Sequence, residues 1–184
     1  VARELCPFDM VPTTSTIVQL IFGDLLAIAL MRLKGFTLED FRHNHPAGRL
    51  GKRLLLTVKD VMISGAGAPL ISPAEVLINA LPEFSGKKCG CLIVVDEEVK
   101  LLGIFTDGDL RRALQKHGAM VLHKTMKELM TPSARFIDPK MLAFDAMKQM
   151  EADQKRPITV LPVVDGGKVV GILRMHDIVQ SGIS

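Results

Sequence analysis

The stretch that decides the fold is Val99–Leu114, which reads VKLLGIFTDGDLRRAL. A degenerate copy closes the chain at residues 168–182, which read KVVGILRMHDIVQSG. Gly103 and Asp109 of the first stretch return 68 positions later with the same spacing. Anchors that keep their order across two stretches indicate two copies of one structural unit, because chance similarity rarely preserves several of them.

Further anchors extend the repeat upstream. Val61-Met62 corresponds to Leu129-Met130 at the same offset, and Val94-Val95-Asp96 corresponds to Val163-Val164-Asp165 one position later. Apolar runs joined by acidic or glycine turns predict a β-hairpin in each copy. The fold class predicted is α/β (α+β), with two β-α-β-β-α repeats packed sheet to sheet, since one repeat alone is too small to cover its own sheet.

The predicted elements follow the same order in both copies. In the first copy they are a short helix at 60–62, a strand at 69–71, a helix at 74–84, strands at 91–96 and 101–105, and a helix at 107–115. In the second copy they are a helix at 126–130, a strand at 135–137, a helix at 142–151, strands at 160–164 and 169–173, and a helix at 176–180.

Composition places the chain among soluble globular proteins. Hydrophobic residues make up 48% and charged residues 23% of the 184 positions. The aromatic fraction is 4%, without Trp or Tyr, so few side chains could stack on bases. A net charge of +3 is too small to indicate nucleic acid or an anionic membrane as partner, but it is compatible with small phosphorylated ligands.

The three cysteines point to a reducing environment. Cys6, Cys89 and Cys91 are an odd set without the paired spacing of a zinc site. Cys89 and Cys91 flank the start of an apolar strand, where buried free thiols are the expectation. We therefore predict a cytoplasmic protein with no metal and no cofactor.

The N-terminal segment is of a different kind. Residues 12–16, Pro-Thr-Thr-Ser-Thr, predict a helix start in which hydroxyl side chains accept hydrogen bonds from the backbone. The helix is expected to end at Gly35 and to be buried on more than one side, because apolar residues cover most of its circumference. Polar residues interrupt its apolar stretch 17–33, so we do not predict a membrane span, and no signal peptide is visible.

A second helix is predicted to open at Thr37, followed by a structured loop over residues 42–53. This loop carries two histidines, His43 and His45, among arginines and lysines. On composition alone, a basic linker is the favoured interpretation of the loop.

Two equivalent helix starts are candidate binding sites. Thr106 and Asp109 flank Gly108 where a strand ends and a helix begins. A hydroxyl and free N–H groups suit a phosphate, and a carboxylate one turn later suits the hydroxyls of a ribose. Helix capping is the alternative and is far commoner. The second copy keeps the carboxylate as Asp177, whereas Arg174 replaces the hydroxyl.

These repeats resemble tandem CBS domains, whose last strand and helix carry a Gly-x-x-Thr/Ser-x-x-Asp pattern, here Gly103–Asp109. The resemblance implies a tandem CBS-domain pair with a nucleotide-binding cleft between the modules. Thr106 would contact phosphate and Asp109 the ribose. Asp177 would contact the ribose in the second repeat, and Glu128 would lie where side chains of such pairs line the cleft.

The N-terminal stretch resembles the end of the sugar isomerase (SIS) domain of arabinose-5-phosphate isomerases. The matching segments are ELCP at 4–7, PTTST at 12–16, GDLLAIA at 23–29, GFTLEDF at 35–41 and HPAGRLGKRLL at 45–55. The resemblance implies helices from the end of a doubly wound SIS domain ahead of the CBS pair. It also implies interconversion of ribulose 5-phosphate and arabinose 5-phosphate, on the route to the sugar acid Kdo.

The isomerase resemblance also implies roles for four residues. Glu4 and His45 would form the catalytic set, without a decision on which is the base, and Val1 and Ala2 would lie beside the sugar phosphate. Aldose–ketose exchange needs a proton carrier, and a histidine or a partly desolvated glutamate can serve near neutral pH. His43 is expected to be a surface side chain.

The expected organisation is a SIS remnant and linker at 1–53, one CBS domain at 54–118 and another at 119–184. Since the chain begins without Met, we expect it to be a fragment, inactive by itself, of an isomerase that forms a tetramer by family resemblance. The alternative is a stand-alone CBS module that senses a nucleotide or nucleotide-sugar, or only dimerises.

Overall fold

A computed structural model of the chain describes residues 1–37, 40, 41, 44, 55–154 and 157–183. It divides into two compact units, Val1–Pro46 and Ala47–Ser184. Apart from Asn44, the predicted loop at 42–53 lies outside the described residues, as does part of the predicted helix that opens at Thr37.

The first unit contains helix α1, Thr14–Leu33. The helix ends as predicted, since Gly35 adopts a φ of +60° just beyond it. The prediction that α1 is buried on more than one side is wrong for this structure, since none of its residues is buried. Among the described residues, α1 alone has the length and composition to cross a membrane, a test that core helices of soluble proteins and signal sequences also pass.

The start of α1 is capped differently from the prediction. The side chain of the N-cap residue, Thr13, makes no capping hydrogen bond to the helix backbone. Instead, the Glu4 carboxylate accepts hydrogen bonds from the Thr13 and Ser15 amides at 2.7 and 3.2 Å. A carboxylate is the stronger acceptor and is also favoured by the positive end of the helix dipole.

The second unit contains the two repeats. The elements of the first repeat are α2 (Val58–Val61), β1 (Ile63–Ser64), a 3₁₀ turn (Gly65–Gly67), β2 (Leu70–Ile71), α3 (Leu77–Gly86), β3 (Cys91–Val95), β4 (Leu101–Thr106), α4 (Asp107–His117) and a 3₁₀ segment (Gly118–His123). The elements of the second repeat are α5 (Met126–Leu129), β5 (Thr131–Pro132), α6 (Ala143–Glu151), β6 (Val160–Asp165), β7 (Lys168–Arg174) and α7 (Met175–Gln180).

The strands form two sheets, and each sheet takes one edge strand from the other repeat. The orders are β2-β3-β4-β5 and β1-β7-β6. Strand β5 pairs antiparallel with β4, placing Gly103 opposite Pro132, and β1 pairs antiparallel with β7, placing Gly171 opposite Ser64. The short strands β1 and β5 escaped the sequence analysis, since two residues carry no alternation pattern.

The short helices are exchanged in the same way. The amides of Val58 and Lys59 at the start of α2 donate to carbonyls of Met141 and Pro139 in the second repeat. Symmetrically, the Met126 amide at the start of α5 donates to a carbonyl in the first repeat. The first short helix of each repeat therefore packs on the other repeat, whereas the later elements pack within their own repeat.

Apolar packing follows this exchange. One core is formed mainly by the second repeat but includes Val58, and another is formed mainly by the first repeat but includes Met126. A third core joins Ile93 of β3 to Ile172 of β7. The predicted sheet-to-sheet packing is therefore confirmed.

The predicted hairpins and long helices of both repeats are confirmed within one or two residues, except that α3 begins at Leu77, three residues later than expected. The predicted strand at 135–137 is reduced to a single parallel bridge between Ile137 and Val163. It occupies the place that β2 has beside β3 in the first repeat.

Candidate functional site

The first candidate helix start, at the end of β4, is held by several side-chain hydrogen bonds. The amide and hydroxyl of Thr106 donate to Asp109 Oδ2 at 2.9 and 2.7 Å, and the Asp109 amide donates back to Thr106 Oγ1 at 3.3 Å. Arg112 Nη2 donates to Asp109 Oδ1 at 2.6 Å, and Thr131 Oγ1 approaches the same oxygen at 3.3 Å. Desolvation is the largest influence on the Asp109 pKa and raises it, but the bonds from Thr106 and Arg112 together outweigh it and lower the pKa.

At the second helix start, an ion pair takes the place of these hydrogen bonds between the threonine and the aspartate. Arg174 Nε and Nη2 donate to the two carboxylate oxygens of Asp177 at 2.7 and 2.6 Å. Arg174 Nη1 also donates to the Lys88 carbonyl at 2.9 Å, which links the two repeats. The hydrogen bond to Asp177 raises the pKa of Arg174. A two-pronged bond of this kind fixes both side chains.

A cavity of about 1220 Å³ lies between the repeats and receives both helix starts. Of the four predicted nucleotide contacts, Thr106 lines the cavity, whereas Asp109, Asp177 and Glu128 are not among its lining residues. Its walls are mostly aliphatic. The lining includes Phe84, Ile104, Thr106, Asp107, Gly108, Thr131, Ser133–Arg135, Pro157–Leu161 and Arg174–His176, with Ser85 and Lys88–Gly90 at one side.

The charge of this cavity favours an anion. Lys88 and Arg135 line it, together with Arg174, whose charge is paired with Asp177, and the carboxylate in its lining is that of Asp107. Among the described residues, no ion pair engages Lys88 or Arg135, so both are available to a ligand. The first amides of α4 on the same wall already have partners, since that of Asp107 donates to the Gly90 carbonyl at 3.1 Å and that of Asp109 donates to Thr106 Oγ1 at 3.3 Å.

Two of the four non-glycine residues with a positive φ in the described part of the chain lie at the same cavity. Lys88 and Ser133 adopt φ values of +52° and +55°, which are uncommon for residues other than glycine. Both line the cavity. Non-glycine residues held in this conformation cluster at ligand sites, where the surrounding structure fixes them.

Sequence reasoning missed Lys88, Arg135 and the segment Pro157–Leu161. A signal was present, since residues 88–90 and 157–159 precede the equivalent strands β3 and β6. The 69-residue offset of these strands could have paired the two loops across the cleft.

Glu128 serves as a helix cap. Its Oε2 accepts from the amide and hydroxyl of Thr125 at 2.9 and 3.0 Å, and its Oε1 accepts from Lys124 Nζ at 3.0 Å. The Thr125 amide bond is the main cause that lowers the pKa of Glu128 to about 2. This is the capping box that the spacing of Thr106 and Asp109 also forms.

The predicted catalytic set lies in the first unit. Glu4 is bonded to the start of α1, and hydrogen bonds, that from Ser15 first, lower its pKa to about 2. Val1 and Ala2 are exposed. His45 lies outside the described residues. Among the residues that are described, no group of three or more His, Cys, Asp or Glu side chains could hold a metal.

The cysteines follow the prediction. Cys89 and Cys91 are buried free thiols, and Cys6 is a half-buried free thiol. Desolvation raises the pKa of Cys91 to about 12 and also raises that of Cys89. Neither thiol is poised for nucleophilic chemistry.

Two exchanged β-α-β-β-α repeats around a shared cleft define a CBS-domain pair. The family model for the CBS domain matches residues 58–116 and 126–183, and the chain belongs to this family. Along its whole length the chain is related to arabinose 5-phosphate isomerases, as the sequence predicted. It is 47% identical over 184 residues to arabinose 5-phosphate isomerase KdsD of Pseudomonas aeruginosa and 41% identical over 183 residues to that of Escherichia coli K12. The alignments cover 100% of this chain and 55% of each relative.

Solved structures give the same fold. CBSX2 in complex with AMP is 30% identical, with a TM-score of 0.59, and the match covers 70% of this chain and 96% of that one. The Arabidopsis thaliana CBSX2 structure is 29% identical, with a TM-score of 0.58, over 70% of this chain and 94% of that one. The CBS pair of protein MJ0100, in complex with 5′-methylthioadenosine and S-adenosyl-L-methionine, is 26% identical, with a TM-score of 0.58, over 67% of this chain and 93% of that one.

Proposed function

We propose that this chain is the CBS-bearing part of an isomerase that interconverts D-ribulose 5-phosphate and D-arabinose 5-phosphate. The observation that carries the proposal is the 41–47% identity, over the full chain, to relatives named for that activity. The chain spans just over half the length of those relatives, so the activity is proposed for the polypeptide that contains it. The 184 residues alone are proposed to be inactive, and the whole enzyme to be a cytoplasmic homotetramer.

In this proposal His45 and Glu4 have different duties. A histidine with a pKa near its reference value of about 6.5 can accept and return a proton near neutral pH. Glu4, with a pKa of about 2, is ionised but weakly basic. Its bonds to Thr13 and Ser15 suit it to hold the start of α1 beside the substrate. Val1 and Ala2 would then contact the sugar phosphate.

The test is an isomerase assay on the full-length polypeptide that carries these residues. Replacing His45 with Asn should lower kcat by about 10²–10⁴, the usual contribution of general acid–base catalysis. His43→Asn, two positions away, is the matched control and should leave kcat unchanged. Equal turnover by the two variants would remove His45 from the catalytic set. Measurable turnover by the 184-residue chain would refute its proposed inactivity.

We further propose that the cleft binds a nucleotide or nucleotide-sugar that regulates the enzyme. The support is the cationic, mostly aliphatic cavity, with the N-terminus of the 11-residue helix α4 in its wall. The phosphate would lie against Thr106 at the start of α4, with Lys88 and Arg135 as its cationic partners in the lining. Asp109 would reach the ribose after Arg112 releases it. Asp177 and Glu128, held by Arg174 and Thr125, would support the cleft from behind.

Calorimetry on the 184-residue chain tests this second part, with AMP and CMP as probes. Thr106→Val removes the hydroxyl that lines the cavity and should weaken binding about tenfold. Thr125→Val is the matched control, because Thr125 caps α5 in the same way but does not line the cavity. No heat with either nucleotide would leave dimerisation as the role of the pair, which sedimentation would then measure.

A further inference from the structure

We infer that the CBS pair binds one nucleotide rather than two, on the Thr106 side of the cleft, and that Arg174 closes the counterpart site. This inference rests on the proposed nucleotide cleft. Beyond that proposal, it states how many nucleotides bind, where in the cleft they bind, and that Arg174 determines the number and the place.

The repeat supplies two potential half-sites. Thr106 at the start of α4 corresponds to Arg174 at the start of α7, and Thr131–Arg135 after α5 corresponds to the segment Ile63–Gly67 after α2. Two equivalent ligands would be the simple outcome if both halves had kept the same residues and the same open shape.

The cavity extends to one side only. Thr131 and Ser133–Arg135 line it, whereas none of the described residues Ile63–Gly67 does. On that other side, Gly65–Gly67 folds into a 3₁₀ turn, and the Ala66 carbonyl accepts a hydrogen bond from Lys87 Nζ. A side chain of the first repeat, Lys87, thus packs on this turn.

The two carboxylates differ in how easily they can be released. Asp109 is paired with Arg112, whose side chain is 71% exposed and can turn to solvent or to a phosphate at little cost. Asp177 is paired with Arg174, whose side chain is 25% exposed and is anchored a third time on the Lys88 carbonyl. Releasing Asp177 would break two charge-assisted bonds and strand a partly buried guanidinium.

The two helix starts differ as well. At the first, the side wall is the Thr106 hydroxyl, and the neighbour of Gly108 is the Arg112 guanidinium, whose Nη1 would lie 3.3 Å from a Cβ at Gly108. At the second, the guanidinium of Arg174 occupies that position with its positive charge already neutralised by Asp177. A phosphorylated nucleoside therefore finds the Thr106 hydroxyl and Arg135 at one end of the cleft and a closed ion pair at the other.

The experiment is titration of the 184-residue chain with AMP and with CMP, read by native mass spectrometry and calorimetry. The wild-type chain should bind one equivalent of whichever nucleotide binds. Arg174→Thr, which restores the residue of the first repeat, should bind a second equivalent. Arg111→Thr removes an exposed arginine that does not line the cavity and should stay at one.

Hydrogen exchange on the wild-type chain keeps the test independent of the variant's folding. Bound nucleotide should protect the amides of residues 107–109 and leave those of 175–177 unchanged. Two equivalents on the wild-type chain, or equal protection of both helix starts, would overturn this inference while the cleft remains a nucleotide site. A folded Arg174→Thr variant that still binds one equivalent would overturn the role of Arg174. No binding of either probe would refute the nucleotide cleft itself and this inference with it.

Discussion

Replacing Gly171 with alanine should break the exchange of strands between the repeats. A Cβ built at Gly171 would lie 2.5 Å from the Ile63 carbonyl oxygen and 3.1 Å from Met62 Sδ. The sulfur can move, but the oxygen belongs to the backbone of β1, which is held on β7 through only two residue pairs. Strand β1 must therefore shift away from β7 or be lost.

The cost follows from these contacts. Overpacking a well-packed site costs about 1–3 kcal/mol. Alanine also restricts the unfolded chain, which returns about 0.4–1 kcal/mol. We expect a net loss of roughly 1–2 kcal/mol in the free energy of unfolding, or about 3–8 °C in Tm for a domain of this size. Gly103→Ala should behave alike, since its Cβ would meet the Thr131 oxygen at 2.6 Å and Met130 Sδ at 2.8 Å.

The assay is urea unfolding followed by far-UV circular dichroism, since the chain has no Trp or Tyr for intrinsic fluorescence. Gly86→Ala is the matched control. Gly86 ends helix α3, and a Cβ there would meet nothing within 4 Å, so the substitution should be neutral or slightly stabilising. If Gly171→Ala unfolds at the same urea concentration as Gly86→Ala, the exchanged strand does not contribute to stability and the reasoning fails.

Three further predictions concern strain, acid and thiol chemistry. Lys88→Gly should raise the free energy of unfolding by about 0.5–1 kcal/mol, because glycine adopts the φ of +52° without strain. The same substitution should weaken AMP binding about tenfold, because it removes a cation from the cavity. Unchanged AMP affinity in calorimetry would show that Lys88 does not contact the nucleotide. Glu128 has its pKa lowered to about 2, so its stabilising effect is complete above its unfolded value of 4.5 and is lost as the pH falls toward 2. Thermal melts of Glu128→Gln should therefore show a shallower loss of Tm below pH 4.5 than wild type or the exposed control Glu97→Gln, and parallel curves would contradict this. Iodoacetamide at pH 8 should label Cys6 well before Cys91. Backbone hydrogen bonds, first that of Phe8, lower the pKa of Cys6, whereas burial raises the pKa of Cys91 to about 12. Equal labelling of the two cysteines in peptide mass spectra would refute this difference in reactivity.

The sequence predicted the repeated elements because their signals are local. Apolar runs such as Cys91–Val95 and glycine-bounded turns appear in both copies, and the 68-residue offset ties the copies together. The exchange of α2, β1, α5 and β5 was not predictable in this way. Pairing between Ser64 and Gly171 depends on residues more than a hundred positions apart, and the two-residue strand Ile63–Ser64 alone is typical of a loop.

The site was predicted in part for a related reason. A hydroxyl followed three residues later by a carboxylate is the spacing of a helix cap and also of a phosphate–ribose site. Thr106 meets both descriptions, because it caps α4 and lines the cavity. Glu128 in the structure meets only the first. Arg135 and Lys88 carry no motif, and only the fold brings them together.

The borrowed edge strands also bear on how such a chain could have arisen. A single repeat, cut free, would present the bare edge beside Gly103 or Gly171 and a short strand with no sheet to join. Two copies of that lone repeat could satisfy each other by the same reciprocal exchange, as in a domain-swapped dimer with two-fold symmetry. Duplication within one gene would make that symmetry permanent while freeing each half to diverge. A threonine at one helix start and an arginine at the other are then the mark of an ancestral homodimer that has become asymmetric.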